Sequence, residues 1–197
     1  MLDVTVLIRC YNQEQYLFDC IRRLRGHKYE ILADYPRLGK CARLNFAIAN
    51  CDTEWVAFCD ADDMSQYLRF SIDSIIGDAD LIYSDCYILN KKGVYYYKAG
   101  GFNIERLKQN NFIPFSTIIV RTKVAKSIPF EDINGKFEDW IWLYKIAKAG
   151  YKFKYIPDDS MIYRDFSHPY GRIPVVRKIK RIVQVNKVRR MIETLSN

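Results

Sequence analysis

No run of apolar residues in this 197-residue chain approaches the ~20 that a membrane-spanning helix needs. The first strand pattern begins almost at Met1, so no signal peptide is expected either. Six cysteines are present, yet none forms a Cys-x-x-Cys pair. Cys10, Cys20, Cys41, Cys51, Cys59 and Cys86 fall inside apolar or helical patterns, where buried free thiols are found. That argues against a disulfide framework and for reduced thiols in the cytoplasm. A Gly-x-x-x-x-Gly-Lys-Ser/Thr phosphate loop and a Gly-x-Ser-x-Gly nucleophile turn are both missing. Internal repeats and low-complexity linkers are lacking too, and the length suits a single domain.

What is there suits a packed globule: 49% hydrophobic and 15% aromatic residues. The net charge of +8 leaves nucleic acid, an anionic membrane surface and phosphorylated ligands open as partners. The most informative stretch is Trp55-Val56-Ala57-Phe58-Cys59-Asp60-Ala61-Asp62-Asp63. A short apolar run of this kind reads as a strand buried on both faces, as in parallel sheets under helices. It runs straight into three carboxylates, whose crowding costs repulsion. A divalent cation would relieve it, since Mg²⁺-type sites use one or two carboxylates plus substrate phosphates. An acidic solvated turn, with Asp63 or Ser65 capping a following helix, is the other reading. The cluster is not an EF-hand, because Met64, Ser65 and Ser71 stand where that loop needs an oxygen ligand, Gly and Glu.

Upstream, Val4 to Ile8 reads as a buried strand ending near Cys10-Tyr11. Asn12 looks like an N-cap with Gln15 in the capping-box position. Leu17, Cys20, Ile21 and Leu24 then share one helix face. A second strand, Tyr29 to Ala33, ends at Asp34, and Gly39-Lys40 opens a second helix. This β-α-β-α-β order is that of a parallel sheet wound with helices. Tyr11, Asp34 and the Asp60–Asp63 cluster all lie at carboxyl ends of strands, where open α/β sheets bind ligands.

Downstream, Leu68, Ser71, Ile72 and Ile75 suggest a helix stopped by Gly77. Strands are expected over Asp80–Leu89 and Val94–Lys98, joined by the turn Asn90-Lys91-Lys92-Gly93. A short helix Ile104–Gln109, a strand Thr117–Arg121, a helix from Glu138 to Ala149 ended by Gly150, and a strand Phe153–Ile156 follow.

Arg9-Cys10-Tyr11-Asn12, Gly39-Lys40-Cys41-Ala42-Arg43-Leu44-Asn45-Phe46-Ala47-Ile48, Asp60-Ala61-Asp62-Asp63, Glu138-Asp139-Trp140 through Gly150, and Tyr163-Arg164 occur in that order. Together they resemble the family 2 glycosyltransferases, which have the GT-A fold, over Val4 to Arg164. The family's second strand usually ends in an acidic pair and Ser, whereas here Asp34 is followed by Tyr35-Pro36. Its His three residues after the Tyr is replaced by Phe166, with His168 two positions later.

The resemblance implies a Rossmann-like, mostly parallel wound sheet flanked by helices. It implies a metal-dependent, inverting, non-processive transfer of a sugar from a nucleotide diphosphate donor, UDP-linked for preference, to a hydroxyl of a glycan or lipid-linked glycan. Mn²⁺ or Mg²⁺ is the expected cofactor, held by Asp62 and, at a displaced position, His168. Asp139 is the expected general base. Nucleotide-sugar contacts fall to Cys10, Tyr11, Asn12, Asp34, Lys40, Asn45, Asp60 and Ala61; Glu138, Trp140 and Arg164 are expected on the acceptor side. Glu138 and Asp139 open a helix, where the macrodipole favours carboxylates, and Trp140 could belong to the core.

Residues 1–171 are read as the domain and 172–197 as a basic amphipathic helical tail. Its stripe, with Val188, Ile192 and Leu195, suits either packing on the domain or peripheral contact with the inner face of a membrane. Rival functions are a nucleotidyltransferase of similar layout and a degenerate glycosyltransferase domain used for binding. Nucleic-acid binding is not expected, for want of aromatic–basic interleaving.

Overall fold

A computed structural model describes residues 2–24, 26–33, 39–65, 76–133, 137–157, 161–165 and 175–196, with side chains of the last segment from residue 184 onward. The first half alternates strand and helix as the periodicities require: β1 (Val4–Cys10), α1 (Glu14–Arg22), β2 (Lys28–Ala33), α2 (Lys40–Asn50) and β3 (Trp55–Asp60). Then come β4 (Met64–Ser65), β5 (Leu81–Ser84), β6 (Cys86–Asn90), β7 (Gly93–Tyr97), α3 (Ile104–Gln109) and a 3-10 turn Phe115–Thr117. The remainder is β8 (Ile119–Arg121), α4 (Thr122–Ser127), α5 (Glu138–Lys148), β9 (Phe153–Ile156), β10 (Met161–Arg164) and α6 (Val175–Ser196).

Among the described residues six strands form the central sheet, in the order β2-β1-β3-β8-β5-β9. β1 pairs in parallel with β2 and β3, and β5 with β9, while β8 runs antiparallel to both its neighbours. Because β2 and β3 lie on opposite sides of β1, the order of strands reverses between the carboxyl ends of β1 and β3. That is the topological switch point at which such sheets open a ligand crevice.

The period-2 alternation of strand side chains divides the core in two. Leu7, Val56 and Phe58 face Leu44 and Ile48 of α2, Trp140, Ile141 and Leu143 of α5, and Val188 and Ile192 of α6. Val4, Val6, Ile8, Trp55 and Ala57 face Cys20 of α1 and Leu24 on the other side. Phe58 also packs on the ring of Phe115 at 4.7 Å and edge-on to Trp142 at 5.6 Å. The tail stripe is thus partly spent on the domain, since Val188 and Ile192 are buried. Among the described residues no helix is long and apolar enough to cross a membrane.

A second sheet, β4-β10-β6-β7, grows from the end of β3. The sequence pattern joined its third strand to β5 as Asp80–Leu89; instead the chain changes sheets at Asp85. That buried carboxylate accepts hydrogen bonds from the hydroxyls of Tyr96 (2.5 Å) and Tyr155 (2.6 Å) and from the Ala99 N–H (2.7 Å). Burial alone would raise its pKa, but those donors hold it below the usual value.

Other expectations change as well. Asn12 is not an N-cap: it adopts φ 51°, and Gln13 precedes α1 without a side-chain cap bond. The strand expected over Thr117–Arg121 begins at Ile119, because residues 115–117 coil into the 3-10 turn. β4, α4 and β10 were not expected from the sequence. The helix expected over Leu68–Ile75 lies outside the described residues; Gly77, its expected stop, has φ 61°.

Candidate active site

The carboxyl ends of β1 and β3 are adjacent, with Arg9 in register with Asp60. Arg9 donates to both Asp60 oxygens, from Nε to Oδ1 at 2.5 Å and from Nη2 to Oδ2 at 2.7 Å. This bidentate fork matches the planar carboxylate. The guanidinium lies over the Phe115 ring, 3.9 Å from its centroid. Its Nη1 also stands 3.7 Å from Glu138 Oε1, an oxygen that Lys40 Nζ ion-pairs with. Burial alone would lower the Arg9 pKa; Asp60, then Asp139 and Glu138, more than reverse that and raise it. One cation therefore ties β1, β3 and the N-terminus of α5 together.

The aspartate turn is held from below. The Asp60 N–H donates to Ser116 Oγ (3.1 Å), Ser116 Oγ donates to Asp63 Oδ2 (2.6 Å), and the Arg164 N–H donates to Asp63 Oδ1 (3.0 Å). Asp63 is buried. It is a strut between the turn, the 3-10 segment and β10 rather than an exposed helix cap. Burial first and Asp60 second push its carboxyl well above the ordinary range. Asp62 is half-buried in the turn after β3, its pKa raised by burial and then by Asp60.

At the start of α5, Phe137 holds φ 64°. A bulky residue in this left-handed region is strained, and such strain gathers at functional sites. Glu138 is buried, and its Oε2 has no hydrogen-bond partner among the described residues. Asp139 is partly exposed, and its Oδ2 accepts from Asn111 Nδ2 at 2.9 Å. The helix terminus would favour its charged form. Burial and the neighbouring Glu138 win over Arg9, the Trp140 N–H and Lys40, so its pKa is raised.

The structure sorts the other expected residues by what they can offer. Tyr11 is 61% exposed beside Asn12 at the β1 end. Cys10 and Ala61 are buried and present only backbone; burial, then Glu14, pushes the Cys10 thiol up. Asn45 spends its amide on both backbone groups of Phe130 (2.8 and 2.9 Å). Trp140 is a correction: its ring is enclosed in the core, with Nε1 donating to the Leu107 carbonyl at 2.6 Å, so it shows no face to a sugar. The Arg164 side chain reaches Asp19 (3.4 Å) and Met64 Sδ (3.0 Å) and lies over Tyr16. Asp34 and His168 lie outside the described residues. Arg9, Ser116 and Asn111 were not singled out from the sequence. Only Arg9 carried a signal, as a lone charge in an apolar strand.

No group of three or more His, Cys, Asp or Glu able to hold a metal ion occurs among the described residues. A hard cation that takes one or two carboxylates plus substrate phosphates asks for less. Asp62 fits that role, because its carboxylate is crowded by Asp60 and a cation would relieve the crowding. Asp60 and Asp63 are already engaged, by Arg9 and by Ser116 with the Arg164 N–H.

No protein-family model matches the sequence, and no curated protein sequence does. Solved structures do match. Residues 1–349 of TarS from S. aureus align with a TM-score of 0.64 at 16% identity, over 83% of this chain and 60% of that one. The same TarS segment in complex with UDP-GlcNAc gives 0.61 at 15%, over 86% and 60%. The mannosyltransferase PcManGT from Pyrobaculum calidifontis, in complex with GDP-Man and Mn²⁺, gives 0.58 at 12%, over 86% and 58%. The chain spans about 60% of the TarS segment and of PcManGT, and 37% of the longer TarS chain. The likeness shows its fold to be the GT-A type found in glycosyltransferases.

Proposed function

We propose that this GT-A chain transfers a sugar from a nucleotide diphosphate donor, UDP-linked for preference, to an acceptor hydroxyl with inversion. The observation that carries the reading is the position of Arg9. It bonds Asp60, neighbours Glu138 and feels the field of Asp139, so the aspartate turn and the start of α5 share one crevice at the switch point. The comparisons support it: proteins of this fold are found with UDP-GlcNAc and with GDP-Man and Mn²⁺.

In a single displacement the acceptor oxygen bonds to the anomeric carbon as the bond to the diphosphate breaks, and one proton must leave the hydroxyl. Asp139 takes that proton. Its raised pKa brings its basicity nearer to neutral pH, where a general base works best. Asn111 holds one carboxylate oxygen and so leaves the other to face substrate. Tyr11, exposed at the β1 end, stacks on the base. Lys40, the first residue of α2, is the cation we assign to the donor phosphates. Asp62 would hold Mn²⁺ or Mg²⁺, which when bound supplies Lewis-acid stabilisation of the departing diphosphate. The two hydrogen bonds from Arg9 fix Asp60, which we assign to the ribose.

The test is ligand-induced thermal stabilisation with UDP, UDP-GlcNAc and GDP-Man, each with and without Mn²⁺. At a hundredfold excess over Kd a ligand stabilises by about 2.7 kcal/mol, on the order of 5–10 °C for a chain of this size. A Mn²⁺-dependent shift that disappears in Asp62→Ala is expected. If no nucleotide diphosphate shifts the protein in either condition, the proposal fails.

A further inference from the structure

The second sheet carries a feature that the donor site does not use. Ile88 of β6 is in register with Tyr95 of β7 and with Tyr163 of β10. Side chains directly opposite one another stand on the same face of a sheet. Tyr163, Ile88 and Tyr95 therefore form a row on one face, with Tyr163 38% and Tyr95 47% exposed. The row alternating with it, Ile162, Tyr87 and Tyr96, points to the other face. There the Tyr96 hydroxyl is committed to Asp85. Inward along the exposed face, Met161 and Cys86 are buried and the Tyr97 hydroxyl donates to the Phe112 carbonyl (3.0 Å), which closes that end.

This row is continuous with the aspartate turn. β4 leaves that turn directly and pairs with β10 through Met64↔Ile162 and Ser65↔Met161. The residue after Tyr163 donates its N–H to Asp63. In keeping with that closeness, burial first and then Asp63, Asp60, Asp165 and Asp62 push the Tyr163 phenol up.

We propose that Tyr163, Ile88 and Tyr95 form a stacking platform for an uncharged glycan acceptor, leading away from the transfer site. The inference rests on the glycosyltransferase reading above. Tyrosines give flat apolar surface with a polar tip at low conformational cost, which suits the C–H faces and equatorial hydroxyls of pyranose rings. Across two strand spacings the two tyrosines stand about 10 Å apart, room for a pair of linked sugars rather than one ring. None of the three side chains is charged, so the row selects against an anionic chain only weakly and offers a phosphate nothing.

The full chain should be applied to an oligosaccharide microarray that includes chito-, cello- and malto-oligomers, with UDP binding measured separately on the same preparations. Wild-type protein should bind a subset of the oligomers. Tyr95→Ala and Tyr163→Ala should each weaken that binding roughly tenfold or more, as for loss of an aromatic anchor. Tyr95→Phe should keep it, since the ring does the stacking, and so should Val94→Ala on the opposite face. UDP binding should be unchanged in Tyr95→Ala. The proposal is overturned if wild-type protein binds UDP but no arrayed glycan, or if binding survives both alanine variants. It is equally overturned if Val94→Ala weakens binding as much, or if Tyr95→Ala instead dissociates a dimer seen by sedimentation. Failure to bind UDP at all would instead bring down the function proposed above.

Discussion

Replacing Arg9 by Met keeps the length of the side chain and removes the charge that holds the crevice together. Asp60 then loses two hydrogen bonds, at 2.5 and 2.7 Å, and Glu138 loses a cation at 3.7 Å. Breaking a fully buried pair by removing one partner costs about 3–5 kcal/mol, whereas an exposed pair contributes about 0.2–1 kcal/mol. The present network lies between these limits. The side chains of Arg9 and Asp60 are 23% and 22% exposed, so a freed Asp60 is partly rehydrated, and Lys40 stays on Glu138. A loss of about 2–3 kcal/mol is expected, the upper part of what intermediate burial permits. For a chain of this size that corresponds to a fall in Tm on the order of 5–10 °C. Thermal and urea unfolding of Arg9→Met, Asp60→Asn and the double variant would measure it. The double variant should be far less destabilised than the sum of the singles, because two groups in direct contact are coupled. As a control, Lys28→Met breaks the exposed pair with Asp52 and should leave Tm within about 2 °C. Additive singles, or equal shifts for Arg9→Met and Lys28→Met, would refute the account of Arg9 as the tie between strands and helix.

Further outcomes follow from the same geometry. Since the pKa of Asp139 is raised, transfer should decline as pH falls through a midpoint above the ordinary aspartate value. Asn111→Ala removes a donor to the carboxylate and should move that midpoint up, while Glu138→Gln removes a repelling charge and should move it down; a profile indifferent to both excludes Asp139 as the base. Asp63 binds its proton more tightly folded than unfolded, so its contribution is full below the unfolded pKa and is lost as pH rises through the folded one. Asp63→Asn should therefore gain stability relative to the parent between pH 4 and neutrality, and a flat difference in urea midpoints would show that Asp63 does not titrate in that range. Ile192→Ala should cost about 2–5 kcal/mol, as for a fully enclosed aliphatic side chain; a negligible change would mean that α6 does not pack on the domain in solution.

Apolar periodicity is a local property, so the strand–helix alternation of the first half was readable from the residues alone. β1, α1, β2, α2 and β3 occur where the pattern puts them, and their ends place Tyr11 and the aspartates at one edge of the sheet. The hairpin at Asn90–Gly93 and the stop at Gly150, with φ 84°, were legible for the same reason. Which carboxylate does what is set by long-range packing instead. Asp60, Asp62 and Asp63 are equivalent in a string of letters; Arg9, 51 positions from Asp60, and Ser116, 53 positions from Asp63, make them a clamped, an open and a buried carboxylate. Trp140 likewise reads as a sugar platform or a core residue until Leu107 supplies a partner for its indole N–H. Hydrogen bonds across such separations depend on how elements pack, and no periodicity records them. The tyrosine row is the plainest case: β10 is a four-residue strand without a pattern of its own, and only its pairing with β6 aligns Tyr163 with Ile88 and Tyr95.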